Sequence, residues 1–83
     1  MEAIDMEAVE LNSQLLEVAY RIREMREISG FTREEMAKKT DVTVAEYAAY
    51  ETGRSDFPFT FIHKCALAFG IGITDLLEGD SAR

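Results

Sequence analysis

His63 and Cys65 are the one imidazole and the one thiol of the chain, so metal binding and covalent catalysis can be weighed on them first. They stand two apart on a helical run, a spacing that does not bring side chains together. One thiol and one imidazole also fall short of the ligands a zinc site needs. By spacing, His63 has no positioned nucleophile or carboxylate partner, and no phosphate-binding glycine loop occurs, so no enzyme is expected. Neither a cofactor nor a metal is expected. A single Cys cannot close an intramolecular disulfide, which indicates a reducing compartment and a cytoplasmic protein.

The charged residues say more. Nine bases and sixteen acids give a net charge of −7. By sign alone this disfavours nucleic acid as a partner. Its distribution is uneven. Residues 1–17 carry five acids (Glu2, Asp5, Glu7, Glu10, Glu17) and no base. The rest of the chain is only −2.

The elements that must position these groups follow from length and pattern. Eighty-three residues with 47% apolar content allow one small globular domain. No apolar run reaches the length of a membrane span, and the first residues lack the basic and apolar regions of a signal peptide. The first 29 residues read as helix, with Ile4, Ala8, Leu11, Leu15, Val18, Ile22 and Met25 forming a heptad seam. Asn12-Ser13 is a candidate break, since both residues compete for the backbone. Gly30 ends the helix.

Thr32-Arg33-Glu34-Glu35 is a capping box opening a short helix to about Thr40. Asp41 tolerates the left-handed turn. Thr43-Val44-Ala45-Glu46 is a second box, and its helix runs to about Thr52 before Gly53. Two boxed helices joined by so short a turn are a helix-turn-helix signature. A fourth helix spans about Phe59–Phe69, stopped by Gly70. A fifth covers about Ile73–Glu78, stopped by Gly79. No period-two run of strand length occurs. The expected division is an acidic helical arm over 1–17, a helix-turn-helix domain over 18–79 and a frayed tail over 80–83.

Several residues together resemble a known family. They are Arg21-Ile22-Arg23-Glu24-Met25-Arg26, Gly30-Phe31-Thr32, Glu35-Met36-Ala37, Val42-Thr43, Tyr50-Glu51-Thr52-Gly53, Ala66, Phe69-Gly70-Ile71 and Asp75-Leu76-Leu77. Over about residues 20–79 they resemble the Cro/cI-type (XRE family) helix-turn-helix domain. The resemblance implies an all-α, five-helix bundle, here with an N-terminally extended first helix. It implies a regulator of transcription in bacteria or phage that binds double-stranded operator DNA as a homodimer. Many members continue into a sensor or oligomerising domain, often a cupin barrel. Residues 80–83 cannot hold one, which leaves open a missing C-terminal sensor domain or a natural short form.

The resemblance also implies site residues. Arg26 and Glu51 match a buried ion pair between the first and third helices. The third helix, about 43–52, faces the major groove, with Thr43 as its cap and Val44, Ala45, Glu46 and Ala49 at base-facing positions. None of these four is the Arg, Lys, Asn or Gln that reads bases by paired hydrogen bonds. Val44 and Ala45 are suited to thymine methyls, and Glu46 to cytosine N4. Arg33, at a helix start where free N–H groups favour phosphate, and Arg54, in the following loop, match backbone-contacting positions. Lys38, Lys39 and Lys64 are secondary candidates beside ordinary surface charge. Tyr47 and Tyr50 read as buried rings with hydroxyls at the rim rather than stacking platforms.

A competing reading is a protein-interaction module whose degenerate helix-turn-helix no longer reads DNA. It would use an apolar surface, to be tested at Phe57 and Phe61. These two and Leu67, expected to be exposed, with Ile73 and Leu77 near the family's dimer face, are also candidates for a second apolar contact beside the arm. For the apolar residues of the arm, a second subunit, the chain's own fourth or fifth helix and a missing domain all stay open as partners. Self-association is expected through the arm or the fifth helix.

Overall fold

The computed structural model describes the backbone of residues 6–78 and the side chains of residues 14–78. Five helices follow in order: α1 (Met6–Ser29), α2 (Arg33–Thr40), α3 (Val44–Glu51), α4 (Phe59–Phe69) and α5 (Ile73–Leu77). All regular structure among the described residues is helical. The end of α1 and the bounds of α2 to α5 lie within a residue or so of their sequence signals, and the expected helix over residues 1–5 lies outside the described residues.

Both capping boxes are closed reciprocally. The Thr32 hydroxyl accepts from the Glu35 N–H at 3.0 Å, and the Glu35 carboxylate accepts from the Thr32 N–H at 2.8 Å. Thr43 and Glu46 repeat this at 3.0 and 2.9 Å. Between them Asp41 turns the chain at φ 62°, and the Val42 N–H returns to the Ala37 carbonyl at 3.1 Å. That short left-handed turn fixes the angle between α2 and α3. Gly53 turns the chain after α3 at φ 77°, where a side chain would be strained. A Cβ there would also collide with Leu16 of α1.

α4 runs through the centre. Phe61, Ile62, Cys65 and Ala66 are buried on it. They join Val18, Ala19 and Ile22 of α1, Met36 and Ala37 of α2, Tyr47 of α3 and Leu76 of α5 in one core. The lower half of the heptad seam accordingly faces inward, with Leu15 and Met25 half-buried at its ends. Ile4 lies outside the described residues, as do the side chains of Ala8 and Leu11 and the other side chains of the acidic arm before residue 14. Gly79 and the tail 80–83 lie outside them too.

Two expectations are corrected. Asn12-Ser13 does not interrupt α1, which passes through it. Two weak helix formers cost only a fraction of a kcal/mol each, roughly 0.5, and elongation of an existing helix outweighs that. Phe57 and Phe61 are not exposed: they retain 8% and 2% of their surface. The loop after α3 folds Phe57 back, so that its ring lies 5.6 Å from Phe61 and 5.9 Å from Tyr50. Leu67 and Leu77 do remain exposed, and Ile73 is half-buried.

Arg21 holds the last helix to the first. Its guanidinium donates to the carbonyls of Leu76 and Leu77 at 3.0 and 2.9 Å. These are end-of-helix carbonyls without intrahelical partners, and a cation suits that end of the helix.

Candidate nucleic-acid interface

The last residue of α3, Glu51, carries a carboxylate with no exposed surface. An ionised carboxylate in such a place needs partners, and it has three. Arg26 grips it with two nitrogens, Nε on Oε2 at 2.7 Å and Nη2 on Oε1 at 3.3 Å. Tyr47 donates its hydroxyl to Oε2 at 2.8 Å. Arg33 donates Nε to Oε1 at 2.9 Å. The remaining Arg26 nitrogen, Nη1, donates to the Phe31 carbonyl at 3.0 Å. One carboxylate therefore ties α1, α2 and α3 together. The expected Arg26–Glu51 pair is formed, and Arg33 joins it.

Tyr47 sits one helical turn before Glu51, so their contact has a local signal, the i,i+4 spacing. Its hydroxyl is buried on the carboxylate rather than held at a rim. Arg33 had no such signal, because it reaches Glu51 from another helix. Its side chain keeps 40% of its surface, against 14% for Arg26. Two guanidinium groups on one carboxylate leave an excess positive charge, and Arg33 carries it toward solvent.

Burial alone would push the Glu51 pKa up. The hydrogen bonds from Arg26, Tyr47 and Arg33 outweigh burial and hold it below the ordinary carboxylate value. The folded protein thus takes up this proton less readily than the unfolded chain. Its stabilising effect is complete above about pH 4.5 and is lost as the pH falls through the lower folded-state value. Urea midpoints measured between neutral and strongly acid pH should fall more steeply for the wild type than for Glu51→Gln. Equal slopes would remove Glu51 from the acid transition.

The opposite side of α3 faces solvent. Thr43, Val44, Ala45 and Glu46 are exposed, with Val44 at 42%, and Ala48 and Ala49 are half-buried. Glu46 does not project outward as a free carboxylate, since one oxygen is held by the Thr43 N–H. The Thr52 hydroxyl donates to the Ala48 carbonyl at 2.8 Å. Tyr50 turns inward, its ring edge-on to Phe61 at 4.7 Å.

Arg54 is exposed just beyond α3, its backbone N–H bonded to the Ala49 carbonyl at 2.9 Å. Among the secondary candidates, Lys64 pairs with Asp41 at 3.3 Å, and Lys39 lies over the Phe31 ring at 4.8 Å. Lys38 is exposed in the last turn of α2.

His63 is exposed, whereas Cys65 is fully buried. Burial, aided by the Glu51 charge, pushes the Cys65 thiol up to about 12, so it stays protonated and packs as a small apolar group. Among the described residues, no group of three or more His, Cys, Asp or Glu side chains could hold a metal ion. No described helix is long and apolar enough to cross a membrane.

Comparison with known proteins agrees with this architecture. A family model described as a helix-turn-helix domain matches residues 19–81. Among solved structures, the clp gene regulator ClgR from C. glutamicum is similar in fold, with a TM-score of 0.74. The two are 20% identical, and the match covers 83% of this chain and 90% of that one. A search of curated protein sequences finds no match.

Proposed function

Since this chain belongs to the helix-turn-helix domain family, we propose that it is a DNA-binding regulator of transcription that turns α3 toward the major groove of operator DNA. The observation that carries this reading is the α2–turn–α3 unit itself. Both helices are capped by side chains at their own N-termini, the turn between them is set at Asp41, and Val44 and Ala45 are exposed on the outer side of α3. The fold neighbour is a gene regulator, in keeping with that use of the unit. Arg33 and Arg54 serve as phosphate contacts, Arg33 with the terminal nitrogens beyond the Nε that Glu51 holds. The protein acts as a dimer, through its N-terminal arm or α5.

The alternative of a protein-interaction module required Phe57 and Phe61 at the surface. Both belong to the core, so that reading loses its main contact residues.

The test is a fluorescence-polarisation titration on duplex DNA across a salt series. Arg33→Ala and Arg54→Ala should each weaken binding on all sequences and lower the salt slope by about 1. Unchanged affinity and slope in both variants would remove them from the interface. Binding that ignores salt altogether would return the protein-interaction reading.

A further inference from the structure

The hydrogen-bonding side chains of α3 and its caps are largely occupied within the protein. Thr43 Oγ1 accepts from the Glu46 N–H, and Glu46 Oε1 accepts from the Thr43 N–H. Tyr47 donates to Glu51, whose carboxylate is fully buried. Thr52 donates back to Ala48. Tyr50 is packed among Phe57 and Phe61. Thr43 and Glu46 are exposed but each is bonded to the other's backbone N–H, and the other outward residues of this stretch are aliphatic: Val44 and Ala45 are exposed, and Ala49 is half-buried one turn further on.

A helix of this kind has little with which to read guanine or adenine by paired hydrogen bonds. In the major groove one base feature is itself apolar, the C5-methyl of thymine. Charge selects the occupant of this face. Arg33 carries the excess positive charge of the Glu51 cluster toward solvent, and Arg54 follows α3 directly. These groups suit a polyanion better than an apolar protein surface.

We infer that α3 recognises its DNA through the C5-methyl groups of pyrimidines, with Val44 and Ala45 as the specificity-determining side chains. This rests on the DNA-binding reading above and adds the chemistry of the discrimination. Contact with a methyl is worth about one buried CH2 group, or roughly fourfold in affinity. It buries no charge, so that factor should not depend on salt. The phosphate contacts should carry the salt dependence.

The experiment begins with the full chain and a pool of random-sequence duplexes made with thymine. Duplexes retained over competitor DNA are recovered. Each thymine is then replaced singly by uracil, which keeps the base pair and removes only the C5-methyl. Affinities are read by polarisation at low and moderate salt. The expected result is a loss of about fourfold at two or more thymines, by the same factor at both salts. In Val44→Ala, which trims an exposed side chain that is not part of the core, the loss at one or more of those positions should shrink toward unity. Recovered duplexes that bind equally well with uracil would overturn the inference and leave DNA binding intact. Losses identical in Val44→Ala would also overturn it, since another group would then be reading the methyls. Recovery of no duplex would overturn both this inference and the DNA-binding reading.

Discussion

Replacing Glu51 by Ala should destabilise the domain by about 3–5 kcal/mol, the range found when one partner of a buried ion pair is removed. For a domain of this size that lowers the melting temperature by about 20 °C. The substitution leaves the Arg26 guanidinium, which is 14% exposed, with only the Phe31 carbonyl and a Glu27 carboxylate at 4.0 Å, and leaves the buried Tyr47 hydroxyl without its acceptor. It also releases the tie among α1, α2 and α3. Small domains hold only about 5–15 kcal/mol in total, so a large part of the margin is removed. Thermal unfolding followed by circular dichroism measures it. Arg33→Ala provides the internal contrast. Its partner keeps Arg26 and Tyr47, and Arg33 is partly solvated, so at most about 1 kcal/mol should go. A small effect at Glu51 would mean that the three-helix tie contributes geometry and little stability.

Phe61→Ala should cost about 3–5 kcal/mol. Its ring sits among Tyr47, Tyr50 and Phe57, with centroids 5.8, 4.7 and 5.6 Å away. Truncation removes both the transfer energy and these aromatic contacts, and four helices packed around α4 cannot close the space completely. Chemical denaturation should show the loss as a lower midpoint with little change in slope. The result also bears on function. If Phe61 were a partner-binding surface residue, the substitution would abolish an interaction and spare stability.

The scaffold was legible in the sequence because its signals are local. A Thr-x-x-Glu box, a glycine or aspartate at a left-handed position and a helical apolar repeat each act within a few residues. The bounds of α2, α3 and α4 follow from them. The tie at Glu51 was half legible. Arg26–Glu51 came through family resemblance and Tyr47–Glu51 lies at helical spacing, but Arg33 comes from a different helix. Likewise, nothing near Arg21 in sequence marks it as the cap of α5, some 55 residues away. The exposure expected for Phe57 and Phe61 failed for a related reason. Whether the loop residue Phe57 turns outward depends on the ring it can meet, here Tyr50 on the preceding helix, and Phe61 is buried because α4 turns it toward Tyr47 and Tyr50 of α3.

The closed capping boxes and the buried carboxylate at Glu51 divide the labour within α3. Thr43, Glu46, Tyr47 and Glu51 hold the helix in position. Val44 and Ala45 hold nothing in the core. These two residues therefore behave as an exchangeable cassette. If α3 reads DNA as proposed, Gln or Asn grafted there should shift its preference toward adenine-bearing sites, with the fold indifferent to the change.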